Sequence, residues 1–294
     1  MADPRRFPVV VGTDGSPVAR AAVATTLMFP WPDGTEVHGV VARRTRATAG
    51  RPGYVLEAFD RTFAETAAEA RQALAARWPA AAAAVIDQSP GDAILAEARR
   101  VGARVIVVGQ RGHGRIGRLL LGSTSRAVTR RAQCPVLVVN RRPRDLRRLV
   151  IGVDGSANAR RAVALVAGLP PPPGATVTVV GAIEATGLLP HQLLPAAMHR
   201  SVRRDLATMK GDLAVTARRE IDDAATTLRD AGWRARTVLR VGRALEVLLA
   251  TVQGTGADML VIGARGVTRL DALLVGSVAE GALTHCRVPV LLVR

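Results

Sequence analysis

Residues 105–139, VIVVGQRGHGRIGRLLLGSTSRAVTRRAQCPVLVV, align without a gap on residues 259–293, MLVIGARGVTRLDALLVGSVAEGALTHCRVPVLLV. A second pair of segments repeats nearer the start of each copy: VVVGTDGSPVARAAV at 9–23 answers VIGVDGSANARRAV at 150–163. Asp14 therefore stands opposite Asp154, and Ser16 opposite Ser156. Self-similarity on this scale decides the architecture before any motif is weighed. The chain is two copies of one unit, expected at 1–142 and 148–294. The polar, proline-bearing stretch NRRPRDLRR from Asn140 to Arg148 joins them.

Within each copy, short β-branched runs alternate with longer helical ones. In the first, the pattern predicts strands at 8–12, 36–42, 83–87, 104–109 and 135–139, and helices at 17–28, 57–77, 91–101 and 118–131. Continuous apolar strands suit a sheet covered on both faces, and strand–helix alternation makes that sheet parallel with right-handed crossovers. Each copy is thus expected to be a doubly wound, Rossmann-like α/β domain of five parallel strands, with its ligand crevice beyond the carboxyl ends of the strands. The two sheets are expected to remain separate around a pseudo-two-fold axis, with their last strands near one another. The second copy carries an insertion, GLLPHQLLPAAMHRSVRRDL, within the longer segment that precedes a helix near 200–232.

Two phosphate-binding signatures are superimposed on the first copy. Gly112, Gly114 and Gly117 spell GxGxxG, but the second copy has Thr268 and Asp271 at the last two places. A dinucleotide fingerprint also follows the first strand of its unit, whereas this one follows the fourth. The P-loop reading, Gly117 to Gly122, fails because Ser123 occupies the place of its lysine. What both copies share is G-x2-G-x9-G-S: Gly109, Gly112, Gly122 and Ser123, then Gly263, Gly266, Gly276 and Ser277.

That spacing, the DGS after the first strand and the closing CPVLVV and VPVLLV strands resemble the universal stress protein family in its tandem-domain form. The resemblance covers nearly the whole chain and implies an adenine nucleotide alpha hydrolase-like fold, ATP as ligand, and a regulatory, stress-response role. It places Gly109 and Gly263 near the ribose. Gly112, Gly122 and Ser123, with Gly266, Gly276 and Ser277, fall at the phosphates, and Val40 and Ala182 at adenine. Thr13, Thr124, Val153 and Val278 flank these positions.

The residues support that placement by themselves. A glycine lets backbone approach a bulky anion, and Gly122 and Ser123 open a helix whose free N–H groups favour phosphate oxygens. Asp14 and Asp154 can accept hydrogen bonds from ribose hydroxyls. Ser16 and Ser156 read as helix caps. Arg111 and Arg265 recur between the motif glycines and suit either a phosphate or solvent. No base or charge clamp for phosphoryl transfer is evident, so hydrolysis is expected to be slow at most, and Mg²⁺ would be held chiefly by the phosphates, with Asp14 or Asp154 as outer partners. The first site is expected to bind more tightly, because its loop carries Arg111, His113, Arg115 and Arg118 against Arg265, Arg269 and Asp271 in the second. Folding of 184–204 over the second site as a lid would reverse that order.

Composition bounds the rest. The formal charge of +17 raises nucleic acid as a partner, through Arg141, Arg142, Arg144, Arg147 and Arg148 at the junction. Against this, Lys210 is the only lysine and aromatic residues make up only 3%, which leaves few rings for base stacking. A nucleotide-free docking module whose final strands, Val136 to Val139 and Val290 to Val293, pair at the domain interface, or a homodimer formed through the last strands, is the other alternative. The N-terminus lacks a signal-peptide pattern and no apolar run would span a bilayer, so a cytoplasmic protein without membrane contact is expected. Cys134 and Cys286 have no partners at metal-ligand spacing and read as reduced, buried or half-buried thiols.

Overall fold

The computed structural model describes residues 6–43, 53–112, 121–184, 199–266 and 275–294, and the side chains of 211 onward in the long helix of the second half. The first half runs β1 (Phe7–Gly12), α1 (Pro17–Met28), β2 (Thr35–Ala42), α2 (Gly53–Ala75), β3 (Ala82–Ile86), α3 (Pro90–Val101), β4 (Val105–Gly109), α4 (Ser123–Arg131) and β5 (Val136–Val139). The second runs β6 (Arg148–Gly152), α5 (Ala157–Ala167), β7 (Thr176–Ile183), α6 (His199–Asp230), β8 (Arg234–Val241), α7 (Ala244–Thr255), β9 (Met259–Gly263), α8 (Ser277–His285) and β10 (Val290–Val293).

Each half contributes five parallel strands in the order 3-2-1-4-5, as the repeat predicts. The expectation of two separate sheets needs correction: β5 and β10 pair antiparallel, joining the halves into one ten-stranded sheet. Leu137 stands opposite Leu291, with Val138 opposite Val290 and Val136 opposite Leu292. Side chains add to the seam, since Gln110 Nε2 donates to Leu283 O at 2.6 Å and Asn140 Nδ2 donates to Cys286 O at 2.7 Å. The last strands thus satisfy one another within the chain, and a homodimer built through them has no free edge to use.

Both faces of the sheet are covered, so the central strands are buried along nearly their whole length. One apolar layer includes Val9, Val107, Leu137, Ile151, Val261 and Leu291 and meets α1, α2, α5 and α6. The other includes Val10, Ile106, Val138, Val150, Leu260 and Leu292 and meets α3, α4, α7 and α8. Alternate residues of one strand feed opposite layers, which is why these strands read as unbroken apolar runs. Each layer crosses the seam without a break.

Helix boundaries differ from the sequence reading at one informative place. The apolar run before Gly122 suggests a helix from residue 118, but α4 begins at Ser123 because Gly122 is extended (φ −62°, ψ 156°) and serves as its N-cap. Among the described residues no helix is long and apolar enough to cross a membrane.

Cys134 is half-buried and Cys286 buried, and both are free thiols. Burial pushes the Cys134 thiol up to about 11 and raises that of Cys286. Only the thiolate attacks, and at neutral pH it is scarce at both positions. Ellman's reagent at pH 7.5 is expected to label the native chain far more slowly than the guanidinium-unfolded chain; equal rates would contradict this environment.

Candidate functional site

In a 3-2-1-4-5 sheet the strand order reverses between β1 and β4, and a crevice opens beyond their carboxyl ends. In the first half a cleft of about 510 Å³ lies there. Its wall includes Thr13, Asp14, Val40, Gly109, Gly112, Gly122, Ser123 and Thr124, all singled out from the sequence. It also includes Arg111, so the recurring arginine of the loop faces the cleft in the first half.

Three local devices shape this space. The first is the turn after β1: Thr13 N–H donates to Val40 O at 2.9 Å, and Asp14 Oδ1 accepts from Ser16 N–H at 3.0 Å. Ser16 Oγ caps α1 by accepting from Ala19 N–H at 3.2 Å, in agreement with its reading as a cap. The second is Gly112, packed so closely beneath Asp14 that a β-carbon there would overlap the carboxylate. The third is the start of α4. Gly122 supplies no side-chain cap, whereas α1 is capped by Ser16 and α3 by Ser89. The first-turn N–H groups of α4 therefore border the cleft with no side-chain cap among the described residues, at the positive end of a helix.

The second half repeats each device. Val153 N–H donates to Val180 O at 2.9 Å, Asp154 Oδ1 accepts from Ser156 N–H at 3.0 Å, and Ser156 Oγ caps α5. A β-carbon on Gly266 would lie 2.6 Å from Asp154 Oδ2. Gly276, like Gly122, is an extended N-cap without a side-chain bond, and it opens α8 at Ser277 and Val278. In both halves the glycine N–H turns back onto the loop, Gly122 to Gln110 O and Gly276 to Ala264 O, each at 2.9 Å.

The strand register sets the counterparts on β2 and β7. Val40 lies opposite Gly12 and Val180 opposite Gly152, so Val180 is the counterpart of Val40. Ala182 instead corresponds to Ala42, which also lines the first cleft. Gly109 and Gly263 have a structural explanation of their own: a β-carbon on Gly109 would sit 3.2 Å from Val18, and one on Gly263 2.9 Å from Asn158 Cβ, where α1 and α5 cross the sheet. Sequence reasoning missed several residues of the first wall, Ala42, Pro90, Ile94, Leu121 and Arg126 among them. The SPGD stretch after β3 was the available signal for Pro90, because it too lies at a strand's carboxyl end.

His113, Gly114, Arg115, Gly117 and Arg118, with Thr268, Arg269 and Asp271, lie outside the described residues, as do residues 185–198 of the insertion. A different asymmetry is visible. The Glu220 carboxylate of α6 fills the space beside Gly155 that a side chain there would need, whereas Thr66 of α2 stands beside Gly15.

Comparison with known proteins agrees with this architecture. The sequence profile of the universal stress protein family matches residues 6–140 and again 145–294. A universal stress protein of Methanocaldococcus jannaschii is 27% identical over 99 residues, which are 34% of this chain and 61% of that one. One from Mycobacterium tuberculosis is 31% identical over 138 residues, 46% of each chain. The chain thus spans about half to three-fifths of the length of these relatives. Among solved structures, a universal stress protein of Archaeoglobus fulgidus superposes with a TM-score of 0.64 at 17% identity, covering 98% of both chains. A functionally unknown protein of Pseudomonas aeruginosa superposes with a TM-score of 0.59 at 18% identity, covering 98% of this chain and 92% of that one. With two profile matches in tandem on a doubly wound sheet, the chain belongs to the universal stress protein family.

Proposed function

We propose that this chain is an ATP-binding regulatory protein of the stress response, with one nucleotide site in each half and hydrolysis that is slow at most. The observation that carries the reading is the convergence, repeated in both halves, of an uncapped helix N-terminus with a glycine pressed beneath an aspartate at the switch point of the sheet. Backbone N–H groups at Ser123 and Thr124 would receive the phosphates, with Gly122, whose own N–H is held by Gln110 O, letting the chain approach them. Asp14 would take the ribose hydroxyls, and Val40 and Ala42, with Pro90 and Ile94, form the apolar end suited to adenine. Gly266, Gly276, Ser277, Val278, Asp154 and Val153 would do the same in the second half, with Val180 and Ala182 on the adenine side. A nucleotide-borne Mg²⁺ fits the first cleft: among the described lining residues Asp14 is the one carboxylate, which leaves the phosphates and water to supply the other ligands.

Each half, 1–142 and 148–294, would supply its own site from its own loops. The arginine-rich junction gains no support as a nucleic-acid surface, because Arg147 pairs with Asp145 at 2.9 Å and Arg148 with Asp258 at 3.0 Å. Native mass spectrometry of gently purified protein, followed by calorimetric titration, tests the proposal. The expected result is ATP carried through purification and a stoichiometry of two. Absence of binding at millimolar ATP would overturn it.

The sites should differ in strength. Glu220 puts a carboxylate beside the Gly155 turn where Thr66 stands beside the Gly15 turn, and a like charge near a phosphate weakens binding. The first site is expected to be the tighter, and Glu220→Thr, which copies Thr66, to tighten the second by about two- to five-fold, as expected for a partly screened charge. Titration of that variant in a Gly122→Val background reads the second site alone; unchanged affinity would remove Glu220 from the account.

A further inference from the structure

At the opposite end of the second half, away from the proposed nucleotide clefts, the amino ends of β6, β7 and β8 frame a cavity of about 400 Å³. Its polar lining is Arg148, Arg229, Arg234 and Arg236 together with Thr176, Thr178 and Thr255. We propose that this cavity is a binding site for a small multivalent oxyanion of the phosphate or pyrophosphate class.

The register explains how the arginines meet. Arg148, Thr176 and Arg234 stand side by side across three neighbouring strands, and Thr178 and Arg236 form the next row on the same face, since residues two apart in a strand point the same way. Arg229 enters from the end of α6, and Thr255 from the end of α7.

Charge compensation is incomplete. Asp258 engages Arg148, with Oδ1 3.0 Å from Nη2. Among the described residues no carboxylate lies within ion-pair distance of Arg229, Arg234 or Arg236. The printed contacts of two of them use only Nε: Arg229 donates to Ala235 O at 3.1 Å and Arg236 to Thr178 Oγ1 at 2.9 Å. Their outer N–H groups remain available, and so does the whole guanidinium of Arg234. The carbonyl end of α7 offsets part of this charge, as a helix C-terminus does. What is left is a concavity whose side chains offer forked donors and hydroxyls, which matches an acceptor-only ligand with several negative oxygens.

The first half acts as an internal control. At the corresponding register positions it carries Pro8, Glu36, His38 and Ala82 in place of Arg148, Thr176, Thr178 and Arg236. There Glu36 pairs with Arg6, and the buried Glu97 lies 3.6 Å from His38 Nδ1. The fold therefore does not require arginine at this end of the sheet, and the cluster is a property of the second half alone.

Titration of the full chain with pyrophosphate, at fixed ionic strength and with ATP saturating, tests the site while keeping any nucleotide cleft filled. One equivalent is expected to bind, at least ten-fold more weakly in the Arg234→Gln/Arg236→Gln variant and several-fold more weakly in Arg229→Gln, each checked for native circular dichroism. Both variants leave Arg148 and its Asp258 pair in place. The proposal is overturned if pyrophosphate fails to bind at millimolar concentration, if ATP abolishes its binding, if the variants bind as well as the parent, or if only polymeric nucleic acid binds.

Discussion

Calorimetric titration of the Gly122→Val variant with ATP is expected to show the first site lost, with affinity falling by at least a hundred-fold, while the second site titrates as in the parent. The argument is one of space. Gly122 has φ −62°, which any residue adopts, so its requirement for glycine does not come from the backbone angle. A β-carbon there would already lie 3.0 Å from Gln110 O and 3.3 Å from Arg111 Cα, and valine adds two methyl groups at the mouth of the cleft. Those methyl groups would shield the N–H groups through which the phosphates are proposed to bind, and a charged ligand deprived of buried donors loses several kcal/mol, of which about 2.7 suffice for a hundred-fold. Gly276 is roomier: its β-carbon would make ordinary contacts at 3.5 Å with Ala264 O and Arg265 Cα. Gly276→Ala should therefore fold normally, and any weakening it causes in the second site reports proximity to the ligand. A folded Gly122→Val protein that still binds two equivalents would refute the assignment of the first cleft.

The contrast between those glycines shows which parts of the site the sequence could carry. At Gly112 and Gly266 a carboxylate from the first loop crosses over the glycine, and recurrence alone pointed to both positions. Gly109 and Gly263 recur equally well, yet α1 presses on the one, together with the Arg111 carbonyl, and α5 on the other. A one-dimensional pattern cannot separate a glycine kept for helix packing from one kept for a ligand. Ile94, in the first cleft, and Glu220, beside Gly155, were illegible for a related reason, since each is brought there by the docking of a helix far along the chain. The start of α4 was misplaced because the leucines before Gly122 satisfy helical periodicity, although the chain is extended at the glycine itself.

Pairing of the last strands enters the sequence reading only through the docking alternative, although the signal for one continuous sheet was present. Edge strands ordinarily avoid flat apolar runs, which invite pairing with other chains. Val136–Val139 and Val290–Val293 are such runs, and each is buried throughout. Read that way, neither could be an edge, and only mutual pairing covers both within one chain. The ordinary edges fall to β3 and β8, where exposed and half-buried residues predominate.

Replacing Leu137 should then unfold more than the half that contains it. Leu137 is fully buried, lies opposite Leu291 across the seam and beside Val107 on β4, and belongs to an apolar layer that continues through Val261, Leu291 and Val293 of the other half. Leu137→Ala is expected to cost about 2–5 kcal/mol, the range for truncating a buried leucine. Leu137→Asp adds an unpaired charge among apolar neighbours, a further penalty of several kcal/mol against a total stability of about 5–15 kcal/mol. The alanine variant should melt in one transition at a lower temperature, and the aspartate variant should show no cooperative melting at 25 °C and above. The decisive reading is the behaviour of the second half, whose Trp233 is buried and donates through Nε1 to Val166 O at 3.1 Å. Trp31 and Trp78 report the first half, so replacing both with phenylalanine leaves Trp233 fluorescence as a reporter of the second. If that signal still melts at the parent temperature in the Leu137→Asp background, the halves are thermodynamically independent and the seam is a contact without mechanical consequence. If it is lost together with the first half, the ten-stranded sheet is one cooperative structure, and strain introduced in one cleft has a continuous packed path to the other.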